Sequence, residues 1–549
     1  MRESPQGEER IESPWRRDGL AGASKQSPIR RQPLKAVVVD DELKILYEAN
    51  VEFDNDLPEF RTHGGVNQTK DAPGVASAPC LMWVKALDML LDKLRVCGVD
   101  FSKVRAISGC AQQHGTVYWN KGSRNQLQNL RPDKFLHEQL CSSFALNNSP
   151  IWMDSSTTAE CKIIEETVGG PRELAKITGS RAYERFSGAQ IAKIWRTRPD
   201  VYANSERICL VSNFVATLLI GNYAPIDYAD GSGMNLLDIH MKDWSNELLM
   251  TVAPDLRDRL GETVPSFTNL APIATYYVER FGFSEQCRII AFTGDNPASL
   301  IGMRLKKGDL ACSLGTSDTL FLWLDVPKTL TDGHILCNPI DNDAFMGMLC
   351  FKNGSLTRTR IRNSAAGASW QLFDELLDST PRGNFGNLAL YFDAPEILPP
   401  LVGDHRYNKA DEKISRYSSM EVEVRALIEG QFIAKRAYAE DTGFVIASNT
   451  RIIATGGASV NKGVLQVLSD VFNSPVYKSE ITNSAVLGGA YLAKYALQYQ
   501  ENTFEEITSS IAMPKLLCTP YSDAEFIYKP MVARYRKIVE QLLNQSPII

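Results

Sequence analysis

The run RIIAFTGDNPASLIGMRLKKGDLACSLGTSDTLFLWL, residues 288–324, decides the fold. An apolar strand ends at Thr293-Gly294, a small-residue helix follows from Asn296, and two apolar strands then flank a Gly-Thr-Ser turn. Strands interleaved with helices in this way predict an α/β protein. Upstream, LKAVVVDDELKILYEANVEF (34–53) reads as two β-rich runs joined at Asp40, Asp41 and Glu42. CLMWVKALDMLLDKL (80–94) carries apolar residues at helical spacing, and VRAISGCAQQHGTVYW (104–119) reads as strand, glycine-containing turn and strand. Downstream, residues 421–440 predict a helix, and RIIATGGAS (451–459) a strand entering a glycine turn. NSAVLGGAYLAKYALQ (483–498) predicts a helix whose Ala485, Gly488 and Gly489 permit close packing. The strand-turn-strand-helix order occurs twice, so a domain boundary is expected near residue 290, with no short-period repeat.

The chain has 549 residues, enough for two to four domains, with 44% hydrophobic and 23% charged residues. A net charge of -6 supplies no overall basic field for a nucleic acid or an anionic membrane, although local sites for small anions remain open. The longest apolar stretches, such as residues 214–221, fall short of a membrane span. Residues 1–33 hold seven Arg or Lys, five Asp or Glu and four Pro against seven hydrophobic residues, and read as a disordered tail. With no apolar targeting segment at its start, the chain is expected in the cytoplasm. Its eleven cysteines include no C-x-x-C pair, which disfavours zinc and fits reduced, mostly packed thiols.

Neither a G-x-x-x-x-G-K-[ST] motif nor an intact G-x-G-x-x-G occurs, so the remaining glycine turns must carry any nucleotide. In SLGTSDT (313–319), backbone N–H groups and the hydroxyls of Thr316 and Ser317 would form an anion nest, or the segment is a plain hairpin. In ATGGAS (454–459), Gly456 and Gly457 would let a flat ligand approach the backbone, or they mark an ordinary turn. Asp295 stands at a strand end beside Asn296, either as a helix cap or as a general base for a hydroxyl. His114 in QQHG and Arg185 in YERF are candidate partners of sugar hydroxyls. The plainer alternatives are a satisfied core histidine and a surface ion pair.

Taken in order, SGCAQQHG, IWMDSST, GSRAYERFSGAQIAKIW, DYADGSGMNLLDI, TGDNPASL, SLGTSDTLF, ATGGAS and NSAVLGGAYLA closely resemble xylulose kinases of the animal type, within the FGGY carbohydrate kinases. The resemblance runs from about Leu34 to the C-terminus. It implies two ribonuclease-H-like domains of the actin and hexokinase type around a cleft for ATP, Mg²⁺ and sugar. The sugar-side domain would cover residues 34–290 and the nucleotide-side domain residues 291–549. The implied reaction is ATP-dependent phosphorylation of D-xylulose to D-xylulose 5-phosphate. By the same resemblance Asp295 matches the base, and His114, Arg185 and Asn296 match sugar-binding positions. Gly315, Thr316 and Ser317 match a phosphate turn, and Trp370, Gly456, Gly457 and Asn461 match positions around the nucleotide. No metal ligand is assigned.

One departure stands out. Family members normally begin with a strand and a G-x-D-x-S-T turn whose Asp helps to hold the metal, where this chain has SPIRRQP (27–33). The proline-containing segment cannot serve as an interior strand, and its two arginines cannot hold Mg²⁺. Losing that strand would expose an edge beside residues 34–40. A non-catalytic sugar- or nucleotide-binding protein is the alternative function that this departure favours, whereas the retained Asp295 and sugar-side residues favour the kinase.

Overall fold

A computed structural model of the chain describes residues 33–68, 70–479, 481 and 483–545. The tail expected over residues 1–33 therefore lies outside the described residues, apart from Pro33. The expected opening hairpin forms: β1 (Leu34–Val39) and β2 (Ile45–Val51) pair antiparallel, with Leu34 opposite Val51. Asp40 closes the turn by accepting hydrogen bonds from the Glu42 and Lys44 N–H groups at 3.0 and 2.9 Å. Helix α1 (Cys80–Val96) buries Trp83, Leu87, Leu90, Leu91 and Leu94 at the apolar spacing that predicted it.

The strand expected before QQHG is divided. β3 (Ala106–Ile107) and β4 (Cys110–Ala111) flank Ser108, whose hydroxyl bonds the Ala291 carbonyl at 2.8 Å, and Gly109, which lies against the Phe292 ring. β5 (Thr116–Asn120) follows the turn. Helix α2 (Ser187–Thr197) leads towards β6 (Ser205–Leu210), which pairs antiparallel with β5, and α3 (Val211–Ile220) absorbs the apolar stretch near residue 214. β7 (Asn269–Pro272) pairs with β8 (Arg288–Ile290), which runs parallel to β3. β9 (Thr293–Gly294) runs parallel to β4 and feeds α4 (Asp295–Gly302).

Seven of the later strands build one large sheet. They are β10 (Asp309–Leu314), β11 (Asp318–Leu324), β12 (His334–Cys337), β13 (Phe345–Phe351), β14 (Arg451–Thr455), β15 (Val476–Lys478) and β16 (Lys515–Cys518). Their spatial order is β12-β13-β11-β10-β14-β15-β16, with β10, β14 and β15 parallel. Helices α5 (Ser355–Ala365), α6 (Trp370–Asp378), α7 (Met420–Asp441), α8 (Lys462–Phe472), α9 (Ser484–Gln498) and α10 (Ala524–Gln545) complete this half. Side chains alternate across its strands as the pleat requires. Leu310, Leu322 and Ile452 join a core with α7, α8 and α10, while Ala311, Phe321 and Ile453 join one with α4 and α9. Among the described residues no helix is long and apolar enough to cross a membrane.

Helices α4 and α9 meet backbone to backbone, as the small-residue face predicted. A Cβ on Gly488 would lie 1.9 Å from the Ala298 carbonyl oxygen, and one on Gly302 would lie 1.8 Å from the Ser484 oxygen. In an isolated helix, Gly→Ala is favourable by about 1 kcal/mol. Here the sign reverses: Gly488→Ala should cost about 2 kcal/mol or more in chemical denaturation, because rigid backbone must move. Gly457→Ala, whose new methyl would meet no atom within 4 Å, should stay close to wild type.

Candidate active site

Two parallel strand ends converge on one point. β4 and β9 pair Cys110 with Thr293 and Ala111 with Gly294, so the QQHG turn and Asp295-Asn296 leave the sheet side by side. Asp295 is the first residue of α4 and Gly294 is its cap, so the capping alternative is not realised. Its Oδ1 accepts hydrogen bonds from the Gln113 N–H at 3.3 Å, the Asn296 N–H at 3.1 Å and Asn296 Nδ2 at 3.4 Å. Oδ2 has no hydrogen-bond partner among the described residues. Burial pushes the Asp295 carboxyl up to about 6, against the opposing pull of these N–H bonds. Asn296 also donates to Gln113 Oε1 at 2.8 Å, and Gln113 donates to Asp230 at 3.3 Å. Burial, then the neighbouring Asp227 charge, raises Asp230 far above the ordinary carboxylate range.

His114 sits in the left-handed region at φ 71, a conformation that a non-glycine residue holds only under tertiary constraint. Its ring stacks on Phe186 at 4.4 Å, and Nδ1 lies 2.9 Å from the Gly233 carbonyl oxygen. Because a carbonyl only accepts, Nδ1 carries the proton and Nε2 presents a lone pair. Burial, then the Arg185 charge, pushes His114 down to about 3, so the imidazole is neutral. Arg185 lies over Tyr183 and Phe186 and donates to His334 Nε2 at 2.9 Å. Among the described residues it makes no salt bridge, so the plain ion-pair alternative is not realised. His334 comes from β12 and joins the two halves of the chain beside the site. It was not singled out in the sequence, where GHILC offers only a histidine on an apolar strand.

The second half repeats the arrangement. β10 and β14 run parallel with Ser313 opposite Thr455, so the SLGTS and ATGG turns also emerge together. Gly456 takes φ 83 and passes so close to Leu314 that a Cβ would lie 2.5 Å from its carbonyl oxygen. Thr316 and Ser317 are exposed, while the Gly315 N–H is held by Asp318 at 3.1 Å. Asn461 caps α8 through the Val464 N–H at 2.9 Å and donates to Asp374 at 2.6 Å, one turn beyond the half-exposed Trp370 on α6. Gly315–Ser317 and Gly456 thus form one cluster, and Asn461 and Trp370 another, on the same half.

The comparisons with known proteins agree with this layout. The profile described as FGGY family of carbohydrate kinases, N-terminal domain, matches residues 143–302, and the corresponding C-terminal domain profile matches residues 310–497. The chain belongs to the FGGY family of carbohydrate kinases. It is 51% identical over 516 residues to a xylulose kinase of Rattus norvegicus, covering 94% of this chain and 96% of that one. It is 47% identical over 476 residues to xylulose kinase 2 of Arabidopsis thaliana, covering 84% and 85%. A ligand-bound xylulose kinase structure from Lactobacillus acidophilus aligns with a TM-score of 0.72 at 19% identity, covering 93% and 96%. The two-domain, actin- and hexokinase-like FGGY fold expected from the sequence is the one observed.

Within this FGGY chain a cavity of 1250 Å³ runs between β1 and β3–β4 and is bordered by Asp295 and Gln112. Pro33 and Leu34 line it, as do Trp83, Leu87 and Leu91 of α1 and Ala490, Ala493 and Leu497 of α9. Among the described residues β1 pairs only with β2, and β3 only with β8. The departure read at residues 27–33 falls on residues outside the described ones, apart from Pro33.

The Asp295 carboxyl should titrate near pH 6, charged above and neutral below. Asp88 and Asp227 are also raised to about 6, so the readout is a difference. Carbon-13 NMR of aspartate carboxyls should lose one titration near pH 6 in Asp295→Asn and keep the others.

Proposed function

We propose that this chain transfers the γ-phosphoryl group of ATP to the primary hydroxyl of D-xylulose, giving D-xylulose 5-phosphate and ADP. The observation that carries this reading is 51% identity, over nearly the whole length of both chains, to a curated xylulose kinase. Asp295 supports it independently, with one oxygen fixed by three N–H donors and the other open to a proton. In the step itself, the sugar oxygen bonds to the γ-phosphorus as the bond to the β–γ bridging oxygen breaks. The hydroxyl proton passes to Asp295 Oδ2. His114 Nε2 accepts from one sugar hydroxyl, and Arg185 and Asn296 donate to others.

The backbone N–H groups and hydroxyls of Thr316 and Ser317, on the turn that Gly315 anchors, receive phosphate oxygens, Gly456 and Gly457 admit the flat part of the nucleotide, and Trp370 and Asn461 flank it. Among the described residues no trio of His, Cys, Asp or Glu could cage a metal, which fits a Mg²⁺ carried by phosphates with few carboxylates. Asp295 is the acidic group at the cleft, and the ion neutralises charge on the phosphates when bound. The first lobe runs through Asp295-Asn296 and α4, whose strand pairs with β4, and the second carries the nucleotide. All eleven cysteines are unpaired, six of them buried, which suits a reducing cytoplasm.

Asp295→Asn should bind sugar normally and lose about 10²- to 10⁴-fold in kcat, since it keeps shape and removes the acceptor. In the wild type, kcat/KM should fall below about pH 6 as Asp295 gains a proton, and coupled ADP release measures both. His114→Ala and Arg185→Ala should weaken D-xylulose binding in calorimetry and leave ATP affinity nearly unchanged. Equal losses for both ligands would move these residues out of the sugar site.

The N-terminus gives a separate expectation. Replacing residues 1–33 with a strand ending in a G-x-D-x-S-T turn should raise kcat about tenfold or more at saturating MgATP, by adding an acidic metal partner. Equal kcat values would show that turn to be dispensable.

A further inference from the structure

Beneath the Gly315–Ser317 turn lies a buried charge cluster. Asp318, the residue after the turn, is fully buried and bidentate to Arg358 of α5, at 2.9 Å from Nη2 to Oδ1 and 2.8 Å from Nη1 to Oδ2. Lys435 of α7 adds a third contact, 3.0 Å from Oδ2. All three side chains are at most 2% exposed. Burial alone would raise Asp318, but Lys435 and then Arg358 outweigh it and hold the carboxyl below its ordinary range. The carboxylate is therefore ionised, and two basic side chains face one anion in a buried pocket.

The remaining neighbours do not cancel the surplus in contact. Lys435 Nζ lies over the faces of Phe351 and Phe432 at 4.8 and 5.6 Å, and its hydrogen-bond acceptor outside the cluster is the Gln431 carbonyl at 3.3 Å. Arg358 bonds the neutral Gln431 Oε1 at 2.9 Å. Glu396, the next acid, accepts from the backbone N–H groups of Lys352, Asn353 and Ile397 and from the Asn353 amide, and it touches neither cation. The cluster is also tied to the turn. Asp318 accepts from the Gly315 N–H at 3.1 Å, Arg358 reaches the Gly315 carbonyl at 3.4 Å, and the Ser355 N–H donates to the same carbonyl at 2.9 Å. Gly354 packs so closely that a Cβ would lie 2.7 Å from the Thr316 oxygen. Thus the turn is rigid on its inner side and open at Thr316 and Ser317 on its outer side.

We infer that Lys435 and Arg358 are positioning residues for phosphoryl transfer, fixing the Gly315–Ser317 turn and placing a net positive charge behind its outward N–H groups. Buried two-to-one charge is costly in the empty protein, because desolvation is not fully offset by one carboxylate. An anion seated on the turn supplies the missing negative charge, and low dielectric between them makes the attraction strong. The cluster therefore favours a polyphosphate over an uncharged nucleoside at this place. The inference rests on the reading of Gly315–Ser317 as the phosphate turn.

The test is Lys435→Met, which keeps volume and the neutral Asp318–Arg358 pair, with Lys435→Arg as the charge-keeping control. Lys435→Met should raise KM for MgATP about tenfold, leave adenosine and D-xylulose affinities within about twofold, and leave the melting temperature unchanged or higher. Lys435→Arg should recover most of the ATP affinity. If Lys435→Met folds and keeps wild-type KM and kcat for ATP, the inference fails while the kinase reading stands. Parallel losses for ATP, adenosine and sugar would mark a purely structural clamp and overturn it too. Should Lys435→Met not fold, Arg358→Gln serves, because it removes the other positive charge and leaves the Asp318–Lys435 pair. The inference then expects a higher KM for ATP with adenosine affinity kept, and no such split would refute it. If the wild type neither binds nor turns over MgATP, the underlying function reading is what fails.

Discussion

The contact between α4 and α9 is the constraint on which the site depends. Asp295 is the first residue of α4, and the helix is seated by glycine at Gly302 and Gly488, where backbone meets backbone. Only residues without a Cβ allow that approach, and the short distance leaves little freedom for α4 to slide or roll. Gly489 presses on Gly109 between β3 and β4, so α9 also holds the strand that delivers the QQHG turn. One helix from the far end of the chain therefore sets the relative position of Asp295, Gln113 and His114.

From that anchor the function follows by repetition. Each half ends a pair of parallel strands at the same level and carries its candidate site residues on the turns beyond them: QQHG with Asp295-Asn296 in one, SLGTS with ATGG in the other. The first pair is lined with groups whose burial favours neutral forms, a high carboxyl and a low imidazole, suited to hydroxyls and a proton. The second presents the exposed Thr316 and Ser317 above the buried Arg358 and Lys435, suited to phosphate. Arg185 and His334 link the halves beside His114 and Phe186.

Much of this was legible in the sequence because the signals are local. The 34–51 hairpin, the helices near residues 80, 421 and 484, and the strand pair around the Gly-Thr-Ser turn follow from periodicity and turn residues within a few positions. The site was legible only where a motif carried it: Asp295 and the QQHG turn leave one parallel strand pair and the two glycine turns leave another. What sequence reading missed has partners distant along the chain. Asp318 meets Arg358 and Lys435, which local pattern would place as solvated charges on two helices, and Arg185 meets a histidine in the other half. The division of the strand at Ser108 and Gly109 was equally hidden, since its cause is Phe292. The cavity beside β1 has Pro33 and Leu34 at its border.

The central claim is that Asp295 receives the proton of the hydroxyl that attacks phosphate held on the second half. The most direct measurement is a crystal structure with D-xylulose and a non-hydrolysable ATP analogue bound together. The primary hydroxyl should lie within hydrogen-bond distance of Asp295 Oδ2, about 2.6–3.2 Å, in line with a γ-phosphorus whose oxygens meet Thr316 and Ser317 of the SLGTS turn. A sugar whose primary hydroxyl points away from Asp295, or phosphates lying elsewhere than that turn, would contradict it.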